Sequence, residues 1–220
     1  YRFVGGAITG NVFTDIGRAQ PTGRNLTWYI DLSDNDGTIV SGNLLVNQPD
    51  LGNSYGIQVG GDSARDIVIS GNHMAGMARR ALIMKAAGTW DSVSFTGNTV
   101  TNIDNDDCLV VHDGAFANVI YDGNSYQSAA DADAWFCVDG DRMTLDQWVA
   151  ASGEADAATA TLQAPDPGRN LDAYAAHLGL GSTLADFAAE AREQSRHTWR
   201  PELSASSAAA YIREGFGALP

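Results

Sequence analysis

The dipeptide Gly-Asn occurs at 10–11, 42–43, 71–72, 97–98 and 123–124, so the asparagines are spaced by 32, 29, 26 and 26 residues. A repeat of that length marks a stack of units, none of which buries its own apolar face. Each corner carries the same pattern on either side. The third residue before each Asn is Ile8, Val40, Ile69, Phe95 or Tyr121, and the fifth is Gly6, Thr38, Ile67, Val93 or Val119. Two residues beyond the Asn stand Phe13, Leu45, Met74, Val100 and Tyr126. That is period-2 alternation, a strand with one apolar face on each side of a turn.

A second apolar run keeps step with the first. Its alignment predicts one inward row of Ile30, Ile57, Leu82, Leu109 and Trp135, and a second of Leu32, Val59, Met84, Val111 and Cys137. No helical pattern lies between these strands. Strands that recur in one direction without a crossover helix stack as a solenoid, here of about five coils. Over residues 1–140 these corners and rows resemble the right-handed parallel β-helix proteins of the pectate-lyase-like and polygalacturonase-like kind. The resemblance implies an all-β fold in which Asn11, Asn43, Asn72, Asn98 and Asn124 form a side-chain ladder at one corner.

Beyond residue 140 the composition changes. Twelve of thirteen asparagines precede residue 125, while 151–220 holds 18 alanines in 70 residues, a helix-favouring bias. Thr144-Leu145-Asp146-Gln147 and Thr183-Leu184-Ala185-Asp186 read as capping boxes; Asn170 and Ser206 read as further N-caps. Ala155 to Gly168 reads as an extended connector. The domains expected are a β-helix over 1–140, with an N-terminal part missing before Tyr1, and a capping and mainly helical tail over 141–220. The Leu145-x-x-Trp148 segment and Ala-rich tail resemble those of bacterial β-helix repeat proteins, where such a segment closes the last coil.

Acidic residues outnumber basic ones 27 to 13, giving a net charge of −14, which disfavours nucleic-acid phosphates and anionic membrane surfaces as partners. No apolar run reaches the ~18 residues of a membrane span. Cys108 and Cys137 have no zinc-ligand spacing, and the alignment puts them on opposite faces, so two free thiols are expected.

Chemistry in a solenoid belongs on outward positions. The alignment turns Asp31, Gln58, Ile83, Val110 and Phe136 outward, followed by Ser33, Gly60, Lys85, His112 and Val138. Coils lie about 4.8 Å apart, so Lys85 and His112 are expected to meet, each lowering the other's pKa toward that of a useful base. Arg79 and Arg80 suit a substrate carboxylate. Asp106-Asp107-Cys108 resembles the Asp-Asp-Cys motif of polygalacturonase-like hydrolases, which implies acid and water-activating roles for Asp106 and Asp107. That pattern departs at Lys85, where an aspartate is expected, and in lacking Gly-His-Gly and Arg-x-Lys.

Asp104, Asp106, Asp107, His112, Asp113, Asp139 and Asp141 gather acidic ligands suited to Ca²⁺, with Asp106, Asp139 and Asp141 the metal candidates. Two functions follow as expectations. One is a secreted bacterial polysaccharide lyase- or epimerase-like enzyme, with Lys85, His112, Arg80 and Asp107 catalytic and Arg79, Asp31, Gln58 and Asp113 on the glycan. The other is a noncatalytic, extracellular or cell-surface adhesive or assembly module that contacts a protein partner through Ile83, Val110 and Phe136.

Overall fold

The fold is that of a computed structural model, which describes residues 3–17, 27–46, 54–77, 79–85, 88–102, 107–159 and 164–217. The chain divides into two compact units, Tyr1–Leu162 and Gln163–Pro220. The first is a parallel β-solenoid of about four turns; five corners bound four intervals.

Its strands are β1 (Phe3–Thr9), β2 (Val12–Thr14), β3 (Thr27–Ser41), β4 (Leu44–Val46), β5 (Ser54–Ser70), β6 (His73–Ala75), β7 (Leu82–Lys85) and β8 (Thr89–Thr96). They continue with β9 (Thr99–Asn102), β10 (Val110–Asp113), β11 (Val119–Asp122), β12 (Ser125–Ser128), β13 (Phe136–Val138) and β14 (Asp141–Met143). Helix α1 (Leu145–Ser152) and strand β15 (Ala158–Thr159) complete the unit. One sheet runs β15-β12-β9-β6-β4-β2, all parallel. The other branches, because the long strands β3 and β5 bend: their first halves continue into β7, β10 and β13, and their second halves pair with β1 or β8.

At the corners from Asn43 onward each Asn Oδ1 accepts two donors from the Asn one turn earlier. For Asn72 these are the backbone N–H of Asn43 at 3.0 Å and its Nδ2 at 2.9 Å. Asn72 Nδ2 also donates to the carbonyl of Val40 at 2.9 Å, so one side chain ties three rungs together. Asn43, Asn72, Asn98 and Asn124 are all buried. The glycine before each adopts positive φ, between 59° and 66°, where an L side chain is strained. A second column of left-handed residues, Gly5, Gly37, Asp66, Ser92 and Asn118, forms another corner whose varied residue types hide it in the sequence.

The ladder ends on a residue of a different type. Ser125 pairs with Ala158 and Asp122 with Ala155, which puts Asp156 at the glycine position and Ala157 at the asparagine position of a sixth corner. Asp156 takes the left-handed φ of 53°. The missing side chain is supplied by Glu154, whose Oε1 accepts from Asn124 N at 3.2 Å and Asn124 Nδ2 at 2.7 Å. Tyr126 Oη donates to the same carboxylate, and Trp148 Nε1 donates to Oε2 at 2.6 Å. Trp148 is brought there by α1, which begins at the expected Thr144–Gln147 capping box and stops at left-handed Gly153. Its indole lies fully buried, stacked on Phe136 and edge-on to Tyr121 and Phe116. Part of the expected connector is thus strand β15.

One expected register is corrected. Leu82 pairs with Val110, not Leu109, so Ile83 meets Val111, Met84 meets His112 and Lys85 meets Asp113; the shift carries on to β13, where Val110 pairs with Phe136. Both Ala81 and Leu82 donate to the carbonyl of Leu109, which sits at a bend before the strand and still points into the core. Leu109-Val110-Val111 and Trp135-Phe136-Cys137-Val138 are unbroken apolar runs, and such a run has no phase to read. Val110, His112 and Phe136 therefore point inward, while Val111 and Cys137 move to the outer face. The outer apolar row of Ile83, Val110 and Phe136 does not exist, because Val110 and Phe136 are core.

The same shift overturns the free thiols. Cys137 on the outer face bonds Cys108 in a disulfide, with their Cα atoms 5.8 Å apart.

The second unit contains α2 (Leu171–His177), α3 (Leu184–Arg192) and α4 (Ala205–Gly215). Asn170 and the Thr183–Asp186 box cap the first two as expected, whereas α4 is capped by Ser204 rather than Ser206. Tyr174 packs between Phe187 and Tyr211, and its hydroxyl donates to the carbonyl of Glu202 at 2.7 Å.

Candidate functional site

The outer face of β3, β5, β7 and β10 carries four of the expected site residues, Asp31, Gln58, Lys85 and Asp113. Asp31 and Gln58 are register partners on β3 and β5. Asp31 Oδ1 accepts from Ser33 Oγ at 2.6 Å and Ser33 N at 3.0 Å, and Gln58 Nε2 reaches it at 3.5 Å. Lys85 is exposed at the end of β7, beside Gly60 on one rung and paired in register with Asp113 on the next.

Arg79, Arg80 and Asp107 come together just before these strands. Arg80 Nε lies 3.2 Å from Asp107 Oδ1, Arg79 Nη1 lies 3.9 Å from Oδ2, and Cys108 N–H donates to Oδ1 at 3.1 Å. Asp107 is thus an acceptor held between two guanidinium groups and the backbone N–H of Cys108.

His112 is not on this face. It is fully buried, stacked on Phe116 with ring centroids 4.1 Å apart, with Nδ1 2.9 Å from Tyr121 Oη and Nε2 3.3 Å from the carbonyl of Ala115. Burial lowers its pKa, the nearby carboxylates Asp139 and Asp113 opposing that only in part. The imidazole stays neutral as a core hydrogen-bonding group, and no Lys85–His112 pair forms.

Of the three expected metal candidates, Asp139 and Asp141 lie among the described residues. Asp139 sits in a left-handed turn, its Oδ1 accepting from Gly114 N–H at 2.6 Å, and Asp141 opens the antiparallel strand β14. Asp104 and Asp106 lie outside the described residues. Among the described residues no three His, Cys, Asp or Glu side chains gather as a metal site.

The sequence reading missed an aromatic pair. Trp28 and Tyr55, register partners on β3 and β5, stack with centroids 5.7 Å apart and planes 23° from parallel. Trp28 is 38% exposed, unlike Trp90 and Tyr121, which are core. Arg79 Nη1 reaches Tyr55 Oη at 3.5 Å. The signal was present: in two successive coils an aromatic stands two residues before the first inward isoleucine, Trp28 before Ile30 and Tyr55 before Ile57.

Trp28, Tyr55, Arg79, Arg80 and Asp107 make a stacked platform edged by cations and a carboxylate, next to the Asp31–Gln58 row. Such a surface offers an apolar ring face together with forked donors and acceptors. Comparisons with family models, curated proteins and solved structures find no match for this chain.

Proposed function

We propose that this protein binds an extended polysaccharide along the outer face of its solenoid and acts at the cell surface or outside the cell. The observation that carries the reading is the exposed Trp28–Tyr55 stack, bordered by Arg79, with Asp31 and Gln58 three residues further along the same two strands. A sugar ring has an apolar C–H face and an equatorial belt of hydroxyls. The first matches an indole ring, and the second matches the amide, carboxylate and guanidinium groups beside it. The Cys108–Cys137 disulfide supports an oxidising location. The likeness to pectate-lyase-like proteins supports a glycan ligand by architecture alone, since fold does not fix function.

Binding without turnover is the reading the geometry favours, because the imidazole expected to serve as base is in the core. A lyase- or epimerase-like activity is the second reading. It is favoured by exposed Lys85 beside Asp113, with Arg80 one strand-length away to neutralise a uronate.

Affinity electrophoresis in gels containing polygalacturonate, alginate or xylan tests the first reading: the chain should be retarded in at least one, and Trp28→Ala should abolish this without lowering the melting temperature. Migration unaltered in all three overturns it. Unsaturated uronate released by the wild-type chain and lost in Lys85→Ala would establish the second reading.

A further inference from the structure

The platform is mechanically connected to the disulfide. Trp28 on β3 stacks on Tyr55 on β5; Tyr55 Oη meets Arg79 Nη1 in the segment before β7; Arg79 and Arg80 meet Asp107 in the segment before β10; and Asp107 is followed directly by Cys108, which is bonded to Cys137 on β13. The chain of contacts crosses five successive rungs. None of these residues belongs to the main core cluster.

We propose that the Cys108–Cys137 crosslink is the anchor of the glycan platform, acting through Asp107 on Arg79, Arg80 and Tyr55, and that reducing it dismantles the platform while leaving the solenoid folded. This rests on the glycan-binding reading above.

The physical case is one of positioning. Arg79 is about half exposed and Arg80 and Asp107 partly so, with side-chain exposures of 47%, 28% and 23%. Ion pairs so placed do not by themselves hold a segment in one conformation. The Cα of Asp107 is one trans peptide, about 3.8 Å, from the Cα of the crosslinked Cys108, so the covalent bond fixes the carboxylate where hydrogen bonds alone would not. With the carboxylate fixed, two guanidinium groups are drawn to one point and Arg79 is presented to Tyr55. Reduction by a dithiol passes two electrons and two protons to the sulfur pair, giving the Cys108 and Cys137 thiols and the dithiol's own cyclic disulfide. The core beneath has its own packing: Leu109 and Phe136, the chain neighbours of the crosslinked residues, lie in the main cluster.

The test follows the indole ¹H–¹⁵N resonances of the full chain, with that of Trp28 assigned by its loss in Trp28→Phe. The chain is compared oxidised, reduced with dithiothreitol, as Cys108→Ser/Cys137→Ser, and as Asp107→Asn with the disulfide intact. The Trp28 resonance should shift in all three perturbed forms, while that of Trp148, buried against Glu154, stays in place and reports an intact solenoid. Polygalacturonate retention should weaken about tenfold in the same forms, about 1.4 kcal/mol.

An unmoved Trp28 resonance, or retention equal in oxidised and reduced chains, overturns the proposal and leaves glycan binding standing. An oxidised chain that binds no glycan overturns the functional reading instead, and the Trp28 resonance still decides whether the disulfide is coupled to the platform. If the reduced chain unfolds and the Trp148 resonance moves, Asp107→Asn decides alone: a shifted Trp28 supports the coupling and an unshifted one ends it.

Discussion

Glu154 accepts both the backbone N–H and the side-chain amide of Asn124, taking over for one turn the part that each corner asparagine plays for the turn before it. The carboxylate is 3% exposed and also receives Tyr126 Oη and Trp148 Nε1. Glu154→Ala leaves these donors buried without an acceptor and should cost roughly 3–5 kcal/mol. Glu154→Gln keeps an acceptor for Asn124 but turns an NH₂ toward the Trp148 N–H, and should fall between the two. Urea denaturation followed by tryptophan fluorescence orders the three; equal midpoints would mean that Glu154 does not close the ladder.

Replacing Asn72 by Asp tests the middle of the ladder. The new carboxylate can still accept from Asn43, but its second oxygen faces Val40 O and Asn98 Oδ1, both acceptors. Asn72→Asp should destabilise by about 2–4 kcal/mol at pH 7 and recover partly on acidification, as protonation restores a donor. A melting temperature within a degree of wild type would contradict this.

Thr38 offers a change in the opposite direction. It is 1% exposed on an inward row, and among the described residues its Oγ1 has no hydrogen-bond partner. Thr38→Val keeps the shape and removes an unpaired hydroxyl, so stability should rise by about 1 kcal/mol. A loss of stability would show the hydroxyl to be hydrogen-bonded in solution.

Two histidines set a pH dependence. Burial lowers the His73 pKa from 6.5 to about 4, and lowers that of His112 also. The folded chain therefore binds fewer protons than the unfolded chain as pH falls below 6.5. Stability contributed by the neutral rings is complete above that value and is lost as pH drops toward about 4. Between pH 6.5 and 5 ordinary carboxylates do not titrate, so denaturation midpoints in that interval report on the histidines. A flat profile there in the wild-type chain, or a slope unchanged in His73→Gln/His112→Gln, would count against this assignment.

The corners were readable because one dipeptide meets two demands at once: glycine supplies the left-handed turn and asparagine supplies the ladder. The second corner column was hidden because Gly, Asp, Ser and Asn all serve there. Alternation fixed the phase of β3, β5 and β7, where polar Asp31, Gln58 and Lys85 interrupt the apolar residues. The runs Leu109-Val110-Val111 and Trp135-Phe136-Cys137-Val138 have no such interruption, and an error of one residue placed His112 outside, Cys137 inside, and the disulfide out of reach. The platform was missed because its aromatics precede the alternating run, and Glu154 because its carboxylate reaches the corner from three residues upstream of the asparagine position it serves.

The asparagine amides all point one way. From Asn11 through Asn124 each Nδ2 donates one N–H to the next turn, so the row is a line of dipoles in series, and its positive end rests on the carboxylate of Glu154. The solenoid consequently has an electrical direction as well as a chain direction. A duplicated coil spliced in anywhere before Asn124 would extend the line without disturbing its sign, whereas one placed after Glu154 would confront an acceptor that has no donor to pass on. Length variation in such an array is thus open at one end and closed at the other, and the closing element is a single carboxylate.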